Sequence, residues 1–443
     1  MTPLLGILLT VILLLSLLAG ARTLQVRANL SPEAARKVMH IGMGVMALSF
    51  PWVLQENWAV LVICVLTITV LLGLRRVKLL RQQVGGVLHD VERRSGGDIY
   101  FLLAVAGLFL LARGDWVLYV VPLLVLTFAD GLAALTGVSY GRRKYLGADG
   151  FKSLEGSVAF ATVTFLVTHV PLLLFTSIGR AESLVVAALV ALLAMLVEAI
   201  SWEGIDNVLV PLSTFIALDG YRQAPLSLQL EHLAVMALLT LVVFVLRRRM
   251  PLTAGALAAA ALGLYLCLTL GDWRWLVAPL TTALAGALLY RCKSGTPGEP
   301  DQSSGYGVQV IVSLAAPGLV WLLTARYLGR PQDFFAFTLC WAAQLAGLAS
   351  FARQYDHVDA PMHPVQHPQI AYGLGLASAL ILLPWAVLQG ARPADWQLAL
   401  QGAFVVLAVL TLCAVLAAQN RLTFQWQMTV LGLAGLGGFL LLG

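Results

Sequence analysis

The chain of 443 residues is 60% hydrophobic and 11% charged, with a mean hydropathy of +0.87. Soluble domains are about 45–50% apolar and about 25% charged, so this chain lacks the polar side chains to cover a soluble globule. Its apolar content equally excludes a disordered chain, and its formal net charge of +6 is modest. We therefore predict an all-α polytopic membrane protein, with apolar helices of about 17–25 residues joined by short polar loops.

Apolar runs recur along the whole chain and predict about 14–16 transmembrane helices. The first run has no basic residue before it and several after it, so we expect a membrane helix that starts outside rather than a cleaved signal. Alternating orientation from there places most lysines and arginines in cytoplasmic loops, as the positive-inside rule requires. The runs lie near residues 3–19, 41–54, 58–74, 99–112, 116–136, 158–175, 184–200, 206–218, 231–246, 252–270, 275–290, 308–324, 333–351, 369–389, 397–418 and 424–442.

A triple arginine at 247–249 separates two predicted membrane domains, over residues 1–250 and 251–443. The cysteines are scattered, mostly within apolar runs and without a Cys-x-x-Cys pair, which argues against a disulfide framework or a zinc site. We expect them to be packing residues. They are Cys64, Cys267, Cys292, Cys340 and Cys413.

Two carboxylates fall within apolar runs, whereas nearly all other acidic residues lie in loops or at helix ends. Asp130 lies in LVLTFADGLAALTG and Glu198 in LLAMLVEAISWEG. A charge inside a membrane costs about 2.5–3.5 kcal/mol on insertion scales, so such residues face the bundle interior or a polar cavity. One isolated carboxylate would indicate a helix–helix hydrogen bond. Both of these have polar neighbours near predicted cytoplasmic helix ends, which favours a functional site.

The segment after Asp130 combines glycines with basic and acidic residues at the start of the next helix. Glycines allow a tight backbone turn, and free amides at a helix start favour anions. Lysine and arginine neutralise phosphate oxygens, and Asp130 with Glu155 could hold a magnesium ion that bridges those oxygens. The predicted phosphate-binding residues are Gly137, Gly141, Arg142, Lys144, Lys152, Ser153, Glu155, Gly156 and Ser157.

Two further polar groups complete the candidate site. The short acidic segment VEAISWEGIDNVLVP contains Glu198 and Asp206 and has no lysine or arginine, which suits a metal or a site lined by cations from elsewhere. Lys37 and His40 lie three residues apart on one helix face and are added to the binding residues. Alone, that pair would indicate an interfacial anchor.

Together these residues resemble the CTP-dependent polyprenol kinases, a family that includes dolichol kinase, phytol kinase and the yeast-type diacylglycerol kinase. The family is related to phosphatidate cytidylyltransferase. Order and spacing match over roughly residues 30–220, and Asp-Gly-x-Ala…Gly-x-x-x-Gly…Lys-Ser-x-Glu-Gly-Ser is the specific element. The matching stretches are RKVMHIGMG (36–44), ERRSGGDIYF (92–101), FADGLAALTGVSYGRRKYLG (128–147), FKSLEGSVAF (151–160) and VEAISWEGIDNVLVP (197–211).

The resemblance implies transfer of the γ-phosphoryl group of CTP to a long-chain alcohol such as phytol or a polyprenol, with Mg²⁺, at the cytoplasmic face. Asp130, Glu198, Asp206 and Lys152 would be catalytic, and Asp130 with Glu155 would bind the metal. Glu198 and Asp206 would be candidates for the base that accepts the hydroxyl proton, or for a second metal site. The expected partners are a lipid alcohol, a nucleotide and the bilayer (the inner membrane in a bacterium), but no nucleic acid.

Two alternatives stay open. A cytidylyltransferase would act on a lipid phosphate and attack the α-phosphate of CTP, but the Lys-Ser-x-Glu-Gly-Ser turn favours a kinase. A lipid transporter would carry intramembrane charges in both halves, whereas here they concentrate in the first half at one membrane face.

The second half resembles the membrane family that contains plant phytyl-phosphate kinase, over residues 250–280 and 306–323. That family carries an Asp-Thr-x-x-Ser-Glu element, whereas the aligned positions here begin with Leu339 and end with Gln344. We therefore predict a degenerate kinase half with a structural or lipid-binding role. A histidine-rich loop at 357–367 also contains possible ligands, but its spacing fits no standard metal site. They are His357, Asp359, His363 and His367.

Overall fold

The computed structural model describes residues 2–27, 32–76, 96–247, 249–250, 252–284, 307–330, 333–351, 393–418 and 429–442. Throughout these ranges the protein is almost entirely helical, with one antiparallel two-stranded hairpin. This confirms the predicted all-α membrane class. The hairpin lies in the glycine-rich segment after Asp130. The chain divides into two compact units, Met1–Thr240 and Leu241–Gly443.

The first unit contains the hairpin and most of the described helices. Its elements are α1 (Pro3–Arg27), α2 (Pro32–Leu48), α3 (Phe50–Val53), α4 (Asn57–Arg76), α5 (Gly97–Ala112), α6 (Trp116–Leu124), a π-helical turn (Val125–Ala129), α7 (Asp130–Tyr140), β1 (Lys144–Gly147), β2 (Gly150–Ser153), α8 (Leu154–Phe175), α9 (Arg180–Ile200), α10 (Asp206–Tyr221) and α11 (Leu226–Leu246), whose last turns belong to the second unit. The second unit continues with α12 (Ala254–Leu270), a 3₁₀ turn (Trp273–Leu276), α13 (Val308–Tyr327), α14 (Asp333–Phe351), α15 (Pro393–Ala418) and α16 (Ala434–Leu442).

Six helical segments within the described residues are long and apolar enough to cross a membrane. Further apolar helices of 10–17 residues accompany them in both units. The protein is therefore a multi-pass membrane protein, and the figure of about 14–16 spans for the whole chain stays a prediction. The six segments are Pro3–Ala21, Trp116–Tyr140, Leu154–Phe175, Arg180–Ile200, Leu226–Leu246 and Val308–Tyr327.

One continuous span, Trp116–Tyr140, forms the centre of the first unit. It begins at Asp115, whose side chain accepts hydrogen bonds from the first backbone amides. Pro122 lies inside it and cannot donate a backbone hydrogen bond, and the next turn, Val125–Ala129, widens into a π-helix. Such π-turns are frequent at functional sites, and this one ends where Asp130 begins α7.

The second unit has an aromatic core of its own, in which Trp275 packs edge-on against Phe334 and Phe337. The positions where the carboxylates of the phytyl-phosphate kinase element would stand, Leu339 and Gln344, are fully buried in this unit. The interpretation of the second half as a degenerate kinase stays a prediction.

Candidate functional site

Asp130 and His40 meet where the π-turn contacts α2. Asp130 Oδ2 lies 4.0 Å from His40 Nε2, and both side chains are mostly buried. His40 Nε2 also lies 3.4 Å from the carbonyl oxygen of Leu126 in the π-turn, and its ring packs edge-on against Phe101 of α5. The fold thus joins a predicted catalytic carboxylate to a predicted binding residue from another helix.

The predicted glycines surround the Ser153 side chain. Its hydroxyl accepts a hydrogen bond from the Gly156 amide at 3.1 Å and caps α8. A Cβ placed on Gly137 or Gly156 would lie 3.1 or 3.0 Å from Ser153 Oγ, and one on Gly141 would lie 2.8 Å from it. These glycines therefore let α7, the hairpin and α8 approach closely around the cap.

Glu155 binds the backbone that leads into the hairpin. Its Oε2 accepts from the amides of Arg142 at 3.1 Å and Arg143 at 3.2 Å, and the Leu154 amide donates to the Arg143 carbonyl at 2.9 Å. The Arg142 and Lys144 side chains are exposed and form no ion pair with any described residue. The turn thus presents Arg142, Arg143 and Lys144 to solvent next to the start of α8.

The hairpin carries Lys152 towards the end of α9. In its register Tyr145 pairs with Lys152, and the Tyr145 hydroxyl lies 2.6 Å from the hydroxyl of Ser157 in α8. A Cβ on Gly147 would lie 3.4 Å from the Ala199 carbonyl oxygen, so the hairpin packs on the last turn of α9. The hairpin therefore contacts both the start of α8 and the end of α9.

Lys152 and Glu198 form a largely buried ion pair, with Nζ 2.6 Å from Oε1. Nζ also donates to the Glu198 carbonyl oxygen at 2.5 Å, where a cation is favoured by the dipole at the end of a helix. Desolvation lowers the pKa of Lys152, but the charge of Glu198 and its hydrogen bond, helped by Tyr145 and Asp206, outweigh it and raise the pKa above 10.5. Lys152 is therefore a cation at every physiological pH.

Three predicted carboxylates interact electrostatically in this region. Glu198 is influenced by both Asp130 and Asp206, and Asp206 also acts on Lys152. Lys152 lies beside Glu198 and His40 beside Asp130, so basic and acidic side chains are interleaved in this region. Among the described residues, no group of three His, Cys, Asp or Glu side chains is arranged so that it could hold a metal ion. A Mg²⁺ ion with one or two carboxylates and substrate phosphates would match this arrangement.

The structure brings four of the predicted residues together in two contacts, His40 with Asp130 and Lys152 with Glu198. Their roles stay predictions. The side chain of Lys37 and the loop 357–367 lie outside the described residues. Sequence analysis missed the hydroxyl of Tyr145 and the ring of Phe101, although both lie in stretches that carried the family resemblance.

Similar proteins identify the family. A phytol kinase of Synechocystis sp. is 35% identical over 200 residues, which are 44% of this chain and 82% of that protein. A probable chloroplastic phytol kinase of Zea mays is 28% identical over 43% of this chain and 67% of its own length. A probable chloroplastic phytol kinase 2 of Glycine max is 29% identical over 43% of this chain and 66% of its own length.

No family model and no solved structure matches the chain. The likeness of the second half to phytyl-phosphate kinases stays a prediction, because each of these matches covers less than half of the chain. The extent and identity of the cyanobacterial match nevertheless settle the relationship, and the chain belongs to the phytol kinase family.

Proposed function

We propose that this protein is a membrane lipid-alcohol kinase that transfers the γ-phosphoryl group of CTP to a long-chain isoprenoid alcohol such as phytol or a polyprenol. The relatives named as phytol kinases support phosphorylation of a lipid alcohol. The observation that carries the proposal is the Lys152–Glu198 pair beside two further carboxylates, at the end of apolar helices. Such a charged group is costly near a membrane and is retained for function.

The cations of the hairpin suit a nucleotide triphosphate. Arg142 and Lys144 are exposed and can neutralise phosphate oxygens, and Lys152, on the strand that pairs with the strand of Lys144, is held protonated. Arginine binds phosphate through two parallel hydrogen bonds, whereas lysine acts as a point charge. We propose that this group binds the phosphates at the cytoplasmic face. The choice of CTP over other nucleotides rests on the family resemblance.

Asp130 is the carboxylate best placed to hold Mg²⁺. It is 22% exposed and lies within electrostatic range of Glu198, so the negative charge around it favours a divalent ion. When bound, the ion would neutralise charge on the transferring phosphoryl group. Glu155 already accepts from the Arg142 and Arg143 amides, so it would bring only its remaining lone pairs to the metal.

The alcohol must lose its hydroxyl proton when the phosphoryl group is transferred. Glu198 and Asp206 are the candidate acceptors, and Asp206 opens α10 with its carboxylate near the Lys152–Glu198 pair. Phosphoryl transfer depends mainly on positioning and charge neutralisation. The chain's own contribution would therefore be to align the hydroxyl with the phosphates that the hairpin binds.

The test incubates purified protein in lipid nanodiscs with Mg²⁺, phytol, a polyprenol or phosphatidate, and CTP labelled at the α or γ position. The proposal expects γ label in a phosphorylated alcohol. Transfer of α label to phosphatidate would make the protein a cytidylyltransferase. Absence of transfer from a folded protein would instead support the transporter.

Asp130→Asn is expected to reduce phosphoryl transfer by at least about a hundredfold, since one electrostatic group at a transition state contributes about that factor. Asp219→Asn is the matched control, because Asp219 lies 55% exposed near the opposite end of α10 from Asp206. Equal activity of Asp130→Asn and wild type would refute the assignment of Asp130. Protein accumulation in membranes should be the same for both variants.

A further inference from the structure

The membrane span Trp116–Tyr140 is longer than the hydrocarbon core of a bilayer. Its 25 residues rise about 37 Å at about 1.5 Å per residue, whereas the core is about 30 Å thick. Trp116 packs against Trp52 and Phe175 at centroid distances of 5.9 and 5.2 Å, and such aromatic groups lie at the membrane–water interface. Counted from Trp116, the hydrocarbon core ends after about 20 residues, near Thr136. The last turn of α7 therefore lies among lipid headgroups.

The hairpin lies beside this last turn instead of extending away from it. Ser153, at the end of β2, is so close to Gly137 that a Cβ on this glycine would be 3.1 Å from the serine Oγ. Tyr145 in β1 reaches back to Ser157 in the first turn of α8, with 2.6 Å between the two hydroxyl oxygens. We therefore expect the hairpin at headgroup depth.

Large apolar and aromatic side chains are exposed on α7 and on the hairpin at this depth. Val138 and Tyr140 in the last turn of α7 are 91% and 72% exposed, and Phe151 in β2 is 65% exposed. Phe151 alternates with Lys152 along the strand, so its ring lies on the hairpin face opposite to the Lys152–Glu198 pair. Water does not favour such rings, whereas the boundary between headgroups and acyl chains does.

Arg143 adds a cation between Tyr140 and β1, and the proposed nucleotide site does not use it. Its backbone is fixed, because its amide donates to the Glu155 carboxylate at 3.2 Å and its carbonyl oxygen accepts from the Leu154 amide at 2.9 Å. Its side chain is exposed and acts on Glu155 through its charge, but it forms no ion pair with any acidic residue that the structure describes. Such a cation at headgroup depth attracts anionic lipids.

We propose that Tyr140, Arg143 and Phe151 form a surface that binds the headgroups of anionic phospholipids. The two aromatic rings lie at the boundary between headgroups and acyl chains, and the guanidinium binds a lipid phosphate through two parallel hydrogen bonds. A zwitterionic lipid carries its own cation beside the phosphate, so the arginine favours lipids with a net negative charge. The proposal does not depend on phosphoryl transfer. It gives the outer face of the hairpin a role separate from that of the ion pair on the other face.

The first test measures the depth of the hairpin in liposomes. A nitroxide is attached to Phe151→Cys in the full-length chain, with the native cysteines replaced by alanine. Electron paramagnetic resonance then compares its accessibility to oxygen, which enters hydrocarbon, with its accessibility to a water-soluble nickel complex. The label should lie between one on Leu135→Cys, at an exposed position within the hydrocarbon part of the span, and a nitroxide free in water. A label as accessible to nickel as the free nitroxide overturns the proposal.

The second test measures lipid selectivity and needs no cysteine variant. Native mass spectrometry follows binding of phosphatidylglycerol or phosphatidylcholine to the full-length protein in detergent. Arg143→Gln should weaken phosphatidylglycerol binding about fivefold, equivalent to about 1 kcal/mol, and change phosphatidylcholine binding by less than about twofold. Arg143→Lys keeps the charge and should lose less. Arg274→Gln is the matched control and should bind like the wild type, because Arg274 is exposed but its Nε already pairs with Asp272 at 3.2 Å.

The outcomes separate this proposal from the kinase assignment. Equal weakening of both lipids in Arg143→Gln, or the same loss in Arg274→Gln, overturns the lipid surface and leaves the kinase untouched. CTP that displaces phosphatidylglycerol from the wild type would assign Arg143 to the nucleotide site and likewise overturn the lipid surface. If both tests give the expected result but no alcohol is phosphorylated, the lipid surface stands and the kinase assignment fails.

Discussion

Replacing Glu198 by glutamine tests the ion pair on which the proposed site depends. The variant keeps the size of the side chain but removes the charge that faces Lys152 Nζ at 2.6 Å. Lys152 would keep the hydrogen bond from Nζ to the backbone carbonyl of residue 198. It would lose the Glu198 carboxylate, which is its one ion-pair partner among the described residues. A cation that is 22% exposed would then have little solvent to replace that partner.

The expected loss of stability follows from the burial of both partners. Breaking a fully buried pair costs about 3–5 kcal/mol, and losing a charged hydrogen bond costs about 1.5–3 kcal/mol. Because the two side chains remain 22% and 17% exposed, we expect the free energy of unfolding to fall by about 2–3 kcal/mol. For a unit of this size that corresponds to a melting temperature lower by roughly 4–12 °C.

The pKa of Lys152 predicts how this loss varies with pH. In the wild type the raised pKa stabilises the folded state below about pH 10.5, and this contribution is lost as pH rises through the folded pKa. In Glu198→Gln the desolvation of Lys152, which lowers its pKa, is no longer outweighed by the charge of Glu198. The charged ammonium therefore destabilises the folded state, and this cost disappears at the pH values where the ammonium loses its proton. The difference between the two proteins should therefore be largest near neutral pH and shrink at alkaline pH.

The assay is thermal unfolding in detergent for the wild type, Glu198→Gln, Lys152→Met and the double variant. The double variant should be less destabilised than the sum of the single variants, since the two changes remove one interaction. Glu231→Gln, at an exposed position on α11, controls for loss of a carboxylate and should change stability by less than about 0.5 kcal/mol. Additive losses at all pH values would refute the pair.

Three variants test local packing, two of them around the hairpin and one in the turn between α9 and α10. The added methyl of Gly141→Ala would overlap the Gly137 carbonyl and the Ser153 side chain, so this variant should lose about 1–3 kcal/mol of stability in thermal unfolding. Gly220→Ala is the control, because open space surrounds Gly220 and the change should be neutral or slightly stabilising. Equal effects of the two variants would contradict this packing. Ser153→Ala should cost about 1 kcal/mol by loss of the α8 cap, and an unchanged melting temperature would argue against that cap. Gly204→Ala introduces a side chain at φ +85° and should cost about 1–2 kcal/mol, so a fully stable variant would show that this turn is not fixed.

Residue chemistry singled out the polar side chains of the candidate site but did not show how they pair. Charged residues are rare in an apolar chain, so Asp130, Lys152 and Glu198 were conspicuous without any structure. Their partners depend on how helices pack: Lys152 meets a residue 46 positions away, and His40 meets the π-turn 86 positions away. No local pattern encodes such distances, because the loops between membrane helices leave their arrangement open.

The backbone details near Asp130 were also beyond local patterns. Pro122 indicates a disturbed helix, but it does not distinguish a kink from the π-turn that follows it. The glycines between Gly137 and Gly156 suggested a phosphate-binding turn, whereas their first structural effect is to admit Ser153 between α7 and α8. Since a glycine permits both close packing and ligand approach, its sequence position alone favours neither.

The pairing of Lys152 with Glu198 has a consequence for nucleotide binding. In the free protein the carboxylate neutralises the one hairpin cation that is largely buried, while Arg142 and Lys144 stay exposed. Under the proposed function, arriving phosphates would first meet the exposed cations and then compete with Glu198 for Lys152. Asp130, the carboxylate that we assign to Mg²⁺, would hold an ion whose charge offsets the negative charge that Glu198 regains when Lys152 turns to the phosphates. On this proposal Glu198, without its lysine, would be available to accept the proton of the alcohol.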